Sequence, residues 1–148
     1  IIILLMSYFK SEAQDLSRKT LVGKWKLNWV ESGFFPDKDL LFERTSGNLT
    51  DYIFEFKTDG TVLHKNDDSA FECPVGVFTM KDGNWKYENN LMTLELRGEK
   101  IADYWYWWII KYRLEKQGDG KIWFRVDEII KNKQLSATAT WEELINGK

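Results

Sequence analysis

The sequence contains a single cysteine, Cys73, and a single histidine, His64, among its 148 residues. One cysteine excludes an intramolecular disulfide and any zinc site built from several cysteines. One histidine excludes metal centres that require two. We interpret both residues as ordinary strand or loop positions, and we predict no bound metal and no cofactor.

An excess of charge of one sign is also missing. The chain has 21 Lys and Arg against 23 Asp and Glu, for a net charge of −2, and it contains no basic run. Because a clustered basic surface is the signature of nucleic-acid binding, we expect no nucleic-acid partner. Eight tryptophans and an aromatic content of 16% instead indicate a globular domain with a sizeable core.

Long hydrophobic runs are absent as well. The aliphatic run Ile1–Met6 is far shorter than the roughly 20 residues that a membrane-spanning helix needs, so we predict no transmembrane span. Ser11-Glu12-Ala13 then fits the small-x-small pattern of a signal-peptidase site. We expect residues 1–13 to be the remnant of a signal peptide and residues 14–148 to form a secreted or periplasmic domain. The alternative for the apolar run is a buried N-terminal strand.

What is present is a hydrophobic period of two. In "GKWKLNWV", Trp25, Leu27 and Trp29 share one face of a strand. Turn residues predict hairpins at Asp59-Gly60, at Asn89-Asn90 and at 118–120. We expect one helical turn in 15–21, a short strand in "VGVFTM" and a last strand in "LSATATWEEL". Eight or nine such strands predict an all-β fold, a sandwich or a barrel.

The densest aromatic stretch, "ADYWYWWIIKYRL", covers residues 102–114. We assign alternate positions to the interior; they are Tyr104, Tyr106, Trp108, Ile110, Tyr112 and Leu114. The outward set begins with Trp105, Trp107 and Ile109, which need a cover of their own. A helix, the loop 32–50 or a second subunit are the alternatives, and we favour a cover from within the chain.

A long connection, residues 32–50, follows the first strand, and loops of this length are usually functional. Its apolar residues make it either a lid over the mouth of a barrel or a plug on the core. The predicted lid residues are Phe34, Phe35, Leu41 and Phe42.

Gly23-Lys24-Trp25 resembles the Gly-x-Trp motif that opens the first strand of lipocalins and fatty-acid-binding proteins. Ala102-Asp103-Tyr104 resembles the lipocalin Thr-Asp-Tyr motif, with Ala in place of Thr. Arg125 stands roughly where lipocalins carry an arginine over the first-strand tryptophan; the alternative is an outward Arg beside Asp127. The strand pattern over 20–141 is similar to the lipocalin-like (calycin) family, including small secreted bacterial domains. The resemblance implies a single antiparallel up-and-down β-barrel of eight to ten strands, with Gly23, Trp25 and Arg125 at its closed base.

We therefore predict an exported, non-enzymatic protein that binds a small hydrophobic or amphipathic molecule in the barrel cavity. The predicted ligand-binding residues are Trp29, Tyr52, Phe54, Phe56, Tyr87, Tyr106, Trp108, Tyr112 and Phe124. The alternative is a filled barrel that acts as an interaction or self-associating module through Trp105, Trp107 and Ile109, with a homodimer as one form of it. An enzyme is not predicted, because no nucleophile elbow or phosphate loop occurs and nothing orients His64 with Cys73 or Asp67.

Overall fold

The computed structural model describes residues 16–48, 52–64, 78–100, 104–136 and 138–147. These residues form one eight-stranded antiparallel sheet that curls into a nearly closed barrel, with a short helix at each end of the strand series. The predicted all-β, single antiparallel barrel is confirmed. The predicted signal-peptide remnant at 1–13, together with Asp67 and Cys73, lies outside the described residues. The elements are α1 (Arg18–Leu21), β1 (Gly23–Leu27), β2 (Leu40–Arg44), β3 (Ile53–Phe56), β4 (Val62–His64), β5 (Phe78–Glu88), β6 (Leu91–Lys100), β7 (Tyr104–Lys116), β8 (Lys121–Ser136) and α2 (Trp141–Asn146).

The strands follow the order β4-β3-β1-β2-β8-β7-β6-β5. The two edge strands meet through a bridge between Thr61 and Asn84 and a 2.7 Å hydrogen bond from the Trp85 amide to the Gly60 carbonyl. One strand, β2, leaves the sequential order and pairs with both β1 and β8. The long connection predicted over 32–50 therefore contains a wall strand of the barrel.

The predicted hairpin turns are confirmed. Asp59-Gly60 joins β3 to β4, and 117–120 joins β7 to β8. Asn89 and Asn90 both have positive φ, 52° and 62°, which is the backbone that a two-residue turn between twisted strands requires. The described part of "VGVFTM" belongs to the start of β5, which continues past a register shift at Met80–Asp82.

The two ends of the barrel differ. At the base, α1 precedes β1 and the turns 57–61, 89–90 and 117–120 lie together at the strand ends. At the opposite end, the mouth, β7 begins and β8 ends, and the loop 28–39 connects β1 to β2. Because β5–β8 are 10 to 16 residues long and β1–β4 only 3 to 5, the longer strands extend beyond the shorter ones at the mouth.

The alternation predicted for 102–114 is confirmed for the described residues. Tyr106, Trp108, Ile110 and Tyr112 are at most 1% exposed, and the intervening side chains are only partly covered. The inward residues join one core cluster that runs through the barrel from Trp25 at the base to Tyr106 at the mouth.

The prediction of a separate last strand in "LSATATWEEL" is wrong, because of its described residues only Leu135 and Ser136 are in a strand and they form the end of β8. Strand β8 ends at Ser136, and α2 begins after Thr140. The Thr140 hydroxyl accepts a hydrogen bond from the Glu143 amide, and the Glu143 carboxylate accepts one from the Thr140 amide. This reciprocal capping box stabilises the helix start and overrides the β propensity of the Thr-rich segment.

Helix α2 lies over Trp105, the first of the outward aromatic residues of β7. Leu144 is fully buried, and the Trp141 ring lies 5.8 Å from the Trp105 ring. The Trp105 Nε1 donates to the Ala139 carbonyl at 2.8 Å, and Lys133 Nζ donates to the Leu144 carbonyl at 2.7 Å. For Trp105, the expectation that the chain covers this face itself is met by a helix, one of the covers considered; Trp107 and Ile109 are only partly buried.

Candidate functional site

Aromatic rings fill the lower and middle part of the barrel. The Phe42 ring lies 4.7 Å from Phe124, 5.8 Å from Phe54 and 6.2 Å from Phe56, and Phe56 lies 5.7 Å from Trp85. These residues come from β2, β3, β5 and β8, so strands distant in sequence supply one continuous lining. Three of the predicted ligand-binding residues, Phe54, Phe56 and Phe124, lie in this cluster.

Tyr112 carries a buried polar atom in this lining, its phenol hydroxyl. It lies on β7 opposite Met92 of β6 and Val126 of β8, and its ring is 5.6 Å from that of Phe124. The side chain is fully buried, and its hydroxyl has no hydrogen-bond partner among the described residues. Burial, and then the negative charge of Asp39, raises the pKa of the Tyr112 phenol well above its ordinary value of 10.0, so the group stays protonated.

Tyr106 lies six residues earlier on the same strand and is a contrasting case. Its hydroxyl donates to the Thr79 carbonyl of β5 at 2.9 Å, reaching across β6 at the position of Gly98. A Cβ at Gly98 would lie 2.7 Å from that hydroxyl, so glycine is required for the contact. Burial, followed by the charge of Asp82, raises the pKa of Tyr106 as well.

Phe35, from the loop 28–39, closes the top of this interior. It is 3% exposed, and its ring stacks on Trp108 at 5.9 Å and meets the Phe54 edge at 5.8 Å. Trp108 in turn stacks on Tyr106 at 4.0 Å. The loop was predicted to be either a lid over the mouth or a plug on the core. Phe35 has the contacts of a plug, while its neighbour Phe34 is only partly buried.

Two of the predicted lid residues are not in the loop. Leu41 and Phe42 are fully buried in β2, where they pair with Trp123 and Ile122 of β8. The lid prediction is wrong for both, because the gap between β1 and β8 is closed by a strand made from this segment. Phe42 nevertheless lines the interior, as part of the wall.

The remaining predicted ligand residues lie at the margins of the core. Trp29 and Tyr52 stack on each other at 6.0 Å, at the mouth ends of β1 and β3. Tyr87 of β5 is partly buried and faces Met92, which separates it from Tyr112 in the sheet register. These three side chains are therefore not brought against the Tyr112 hydroxyl.

Trp25 lies at the barrel base, as predicted, but the cation that contacts its ring comes from a different residue than the predicted Arg125. The Arg44 guanidinium, not that of Arg125, lies over the Trp25 ring at 4.1 Å, and it donates to the carbonyls of Val22 and Thr20. The Trp25 Nε1 donates to the Leu21 carbonyl at 2.8 Å, which ties α1 to the base.

The assignment of Arg125 to the barrel base is wrong, because its side chain points outward on β8, as in the outward alternative. Its guanidinium lies over Trp123 at 4.2 Å and forms ion pairs with Glu115 at 3.0 Å and Asp39 at 3.3 Å. Asp127, the predicted neighbour in the outward alternative, pairs instead with Arg113 at 3.3 Å. Neither Arg44 nor Asp39 was singled out from the sequence, because their partners depend on the register of β2 with β1 and β8.

The outward tryptophans of β7, which the alternative prediction used as an interaction surface, are contacted by lysines of the same chain. Lys81 Nζ lies over the Trp105 ring at 4.6 Å, and Lys131 Nζ over the Trp107 ring at 3.5 Å. The Trp107 Nε1 donates to the Glu95 carboxylate at 2.8 Å. With α2 lying over Trp105, both indole rings have cation contacts and both indole N–H groups have hydrogen-bond acceptors within one chain.

Within the described ranges, no group of three or more His, Cys, Asp or Glu residues is arranged to hold a metal ion. The described helices include none that is both long and apolar enough to cross a membrane. Comparison of the chain with protein-family models, curated proteins and solved structures gave no match. The resemblance to lipocalins therefore stays a prediction.

Proposed function

We propose that this protein binds a small amphipathic molecule in the barrel interior, without catalysing a reaction, and that the Tyr112 hydroxyl is the polar contact for it. We also propose that the protein is exported, on the basis of the apolar run Ile1–Met6 and the pattern at Ser11–Ala13.

The buried Tyr112 hydroxyl is the observation that carries this proposal. A hydroxyl buried without a partner costs about 1–3 kcal/mol, and such groups call for a specific explanation. A ligand oxygen or nitrogen beside the phenol recovers that free energy, whereas a purely structural core position gains nothing from the oxygen atom. Small-molecule sites typically combine an apolar lining with a few polar groups of this kind.

Phe35 gives the interior a route of access. Its ring comes from a loop rather than a strand, and it contacts Trp108 and Phe54 from the mouth side of the core. A ligand that displaces this ring replaces one apolar contact by another, so the exchange leaves the rest of the wall intact. Phe35 belongs to none of the strand ladders of β5–β8, so its displacement breaks no hydrogen bond between those strands.

Titration of the full chain with N-phenylnaphthylamine, an uncharged probe that fluoresces in apolar surroundings, tests the proposal. We expect saturable fluorescence with energy transfer from tryptophan, and faster uptake by Phe35→Ala, because the plug is removed. Phe34→Ala is the matched control, since Phe34 is a neighbouring ring that is only partly buried. Native mass spectrometry of the purified protein checks in parallel for co-purified small molecules.

Two results would count against the binding function. One is probe fluorescence that rises without saturation in the folded protein. The other is equal uptake by the Phe34 and Phe35 variants together with no bound mass, which would mean that the interior is a closed core.

A further inference from the structure

We infer that the molecule bound by the barrel is electrically neutral, an apolar body with one hydroxyl, carbonyl or ester oxygen, and not a carboxylate or another anion. This inference rests on the proposed function and narrows its ligand class. It comes from the distribution of charge around Tyr112.

The interior offers no charge to pair with an ion. Every buried side chain in the described part of the chain is aliphatic, aromatic or a methionine thioether, and none is charged. Taking an ionised carboxylate into such surroundings without a cation costs several kcal/mol by desolvation. Barrel-bound carboxylates therefore require an inward Arg or Lys, which the described wall does not supply.

The cations closest to the base are engaged elsewhere. Arg44 lies against the Trp25 ring and donates to the Val22 and Thr20 carbonyls. Arg18 lies over the Trp85 ring at 4.6 Å and donates to the Thr58 carbonyl at 3.0 Å. Both guanidinium groups cap the base by contacts to backbone and tryptophan, so neither is directed at the Tyr112 hydroxyl.

The charge that acts on Tyr112 is itself negative. Val126 is the β8 residue opposite Tyr112, and its amide donates to the Asp39 carboxylate at 2.8 Å. Asp39 also pairs with Arg125 at 3.3 Å, which fixes the carboxylate beside this part of the wall. An anionic ligand group at the Tyr112 hydroxyl would meet an apolar lining without a cation, and the Asp39 carboxylate, already paired with Arg125, offers it no compensating positive charge.

The chemistry of the phenol defines what it accepts. A protonated tyrosine donates one hydrogen bond and accepts others, so it recognises a hydroxyl, ketone or ester oxygen equally well. The surrounding rings of Phe124, Phe42 and Phe56 suit a hydrocarbon chain or a small ring system.

Displacement of N-phenylnaphthylamine from the full chain distinguishes the ligand classes. The competitors share one chain length and are used below their aggregation concentrations at neutral pH: dodecane, dodecanol, methyl dodecanoate, dodecanoate and dodecylamine. We expect dodecanol and the methyl ester to compete at least about tenfold more strongly than dodecanoate. In Tyr112→Phe, the two neutral oxygen-containing competitors should weaken by about 2- to 10-fold and dodecane should not change. Tyr106→Phe, whose hydroxyl already has a partner, should leave the ranking unaltered.

The outcomes separate the two claims. If dodecanoate or dodecylamine competes as strongly as dodecanol, the inference of a neutral ligand is wrong while the binding function stands. If the neutral competitors lose nothing in Tyr112→Phe, the phenol is not the polar contact and the inference is also wrong. Failure of the probe itself to bind saturably refutes the proposed function instead.

Discussion

Replacing Tyr112 by Phe removes one oxygen atom from the middle of the barrel and keeps the ring. The ring contact with Phe124 at 5.6 Å is preserved, and no hydrogen bond to a described residue is lost. Because the unfolded chain hydrates the hydroxyl and the folded chain leaves it unpaired, we expect the free energy of unfolding to rise by about 1–3 kcal/mol. For a chain of this size, each 1 kcal/mol corresponds to a rise in Tm of roughly 2–4 °C.

Tyr106→Phe, on the same strand, should change the free energy of unfolding in the opposite direction. Its hydroxyl donates to the Thr79 carbonyl at 2.9 Å, so removal loses a hydrogen bond and leaves a carbonyl unsatisfied. We expect a loss of about 1–3 kcal/mol. Urea unfolding of both variants in ligand-free protein, followed by tryptophan fluorescence with the m-value as a check, measures the two changes. Destabilisation of Tyr112→Phe by more than about 1 kcal/mol would refute the argument, because it would mean that the hydroxyl has a partner.

Four further substitutions test the base and the outer face. Gly23 has φ +122° and a Cβ there would meet the Arg44 guanidinium, so Gly23→Ala should lower the unfolding free energy by about 1–3 kcal/mol. Arg44→Ala should lower the free energy of unfolding by about 1–3 kcal/mol, because it loses the Trp25 contact and the hydrogen bonds to backbone carbonyls. Arg125→Ala should lower it by less than about 1 kcal/mol, because the ion pairs of Arg125 are exposed. Equal losses in the two variants would contradict the assignment of Arg44 to the base. Leu144→Ala removes the buried anchor of α2 and should cost about 2 kcal/mol with a red shift of tryptophan emission, whereas an unchanged spectrum would show that α2 stays docked without it.

The hairpins and the long strands are predictable from sequence because their signals are local. Strand β7 has one face in the core, so its side chains alternate strictly, and Asn89-Asn90 supplies the turn backbone within two residues. The helix α2 also has a local signal, the Thr140-x-x-Glu143 capping box, which the β-like composition before it obscured.

Strand β2 is not predictable in the same way. Leu40, Leu41 and Phe42 are all buried, so the alternation that marks a half-buried strand is missing, and the segment looks like an apolar loop. Its place between β1 and β8 depends on contacts between residues far apart in the chain, such as Leu40 with Phe124. Sequence reasoning therefore identified these apolar residues as important but gave them the wrong position.

At the candidate site, the sequence likewise does not distinguish Tyr106 from Tyr112, whose hydroxyls differ in their hydrogen-bond partners. Tyr106 and Tyr112 occupy equivalent inward positions of one strand, and the sequence predicts both as ligand contacts. They differ only in what faces them: the Thr79 carbonyl across Gly98 in one case, and the Phe124 ring in the other. Which hydroxyl has a protein partner is thus decided by residues on other strands.

The Gly-x-Trp opening of β1 has a physical explanation that does not require a family relationship. Trp25 fills the base and needs a partner on its exposed side, which Arg44 supplies from the neighbouring strand at 4.1 Å. The guanidinium passes beside residue 23, where any Cβ would collide with it, so glycine follows from the same contact. A cation on a base tryptophan can come from whichever strand reaches it, here β2 instead of β8. The motif is therefore evidence for how the barrel base is closed, and it carries no information about the interior around Tyr112.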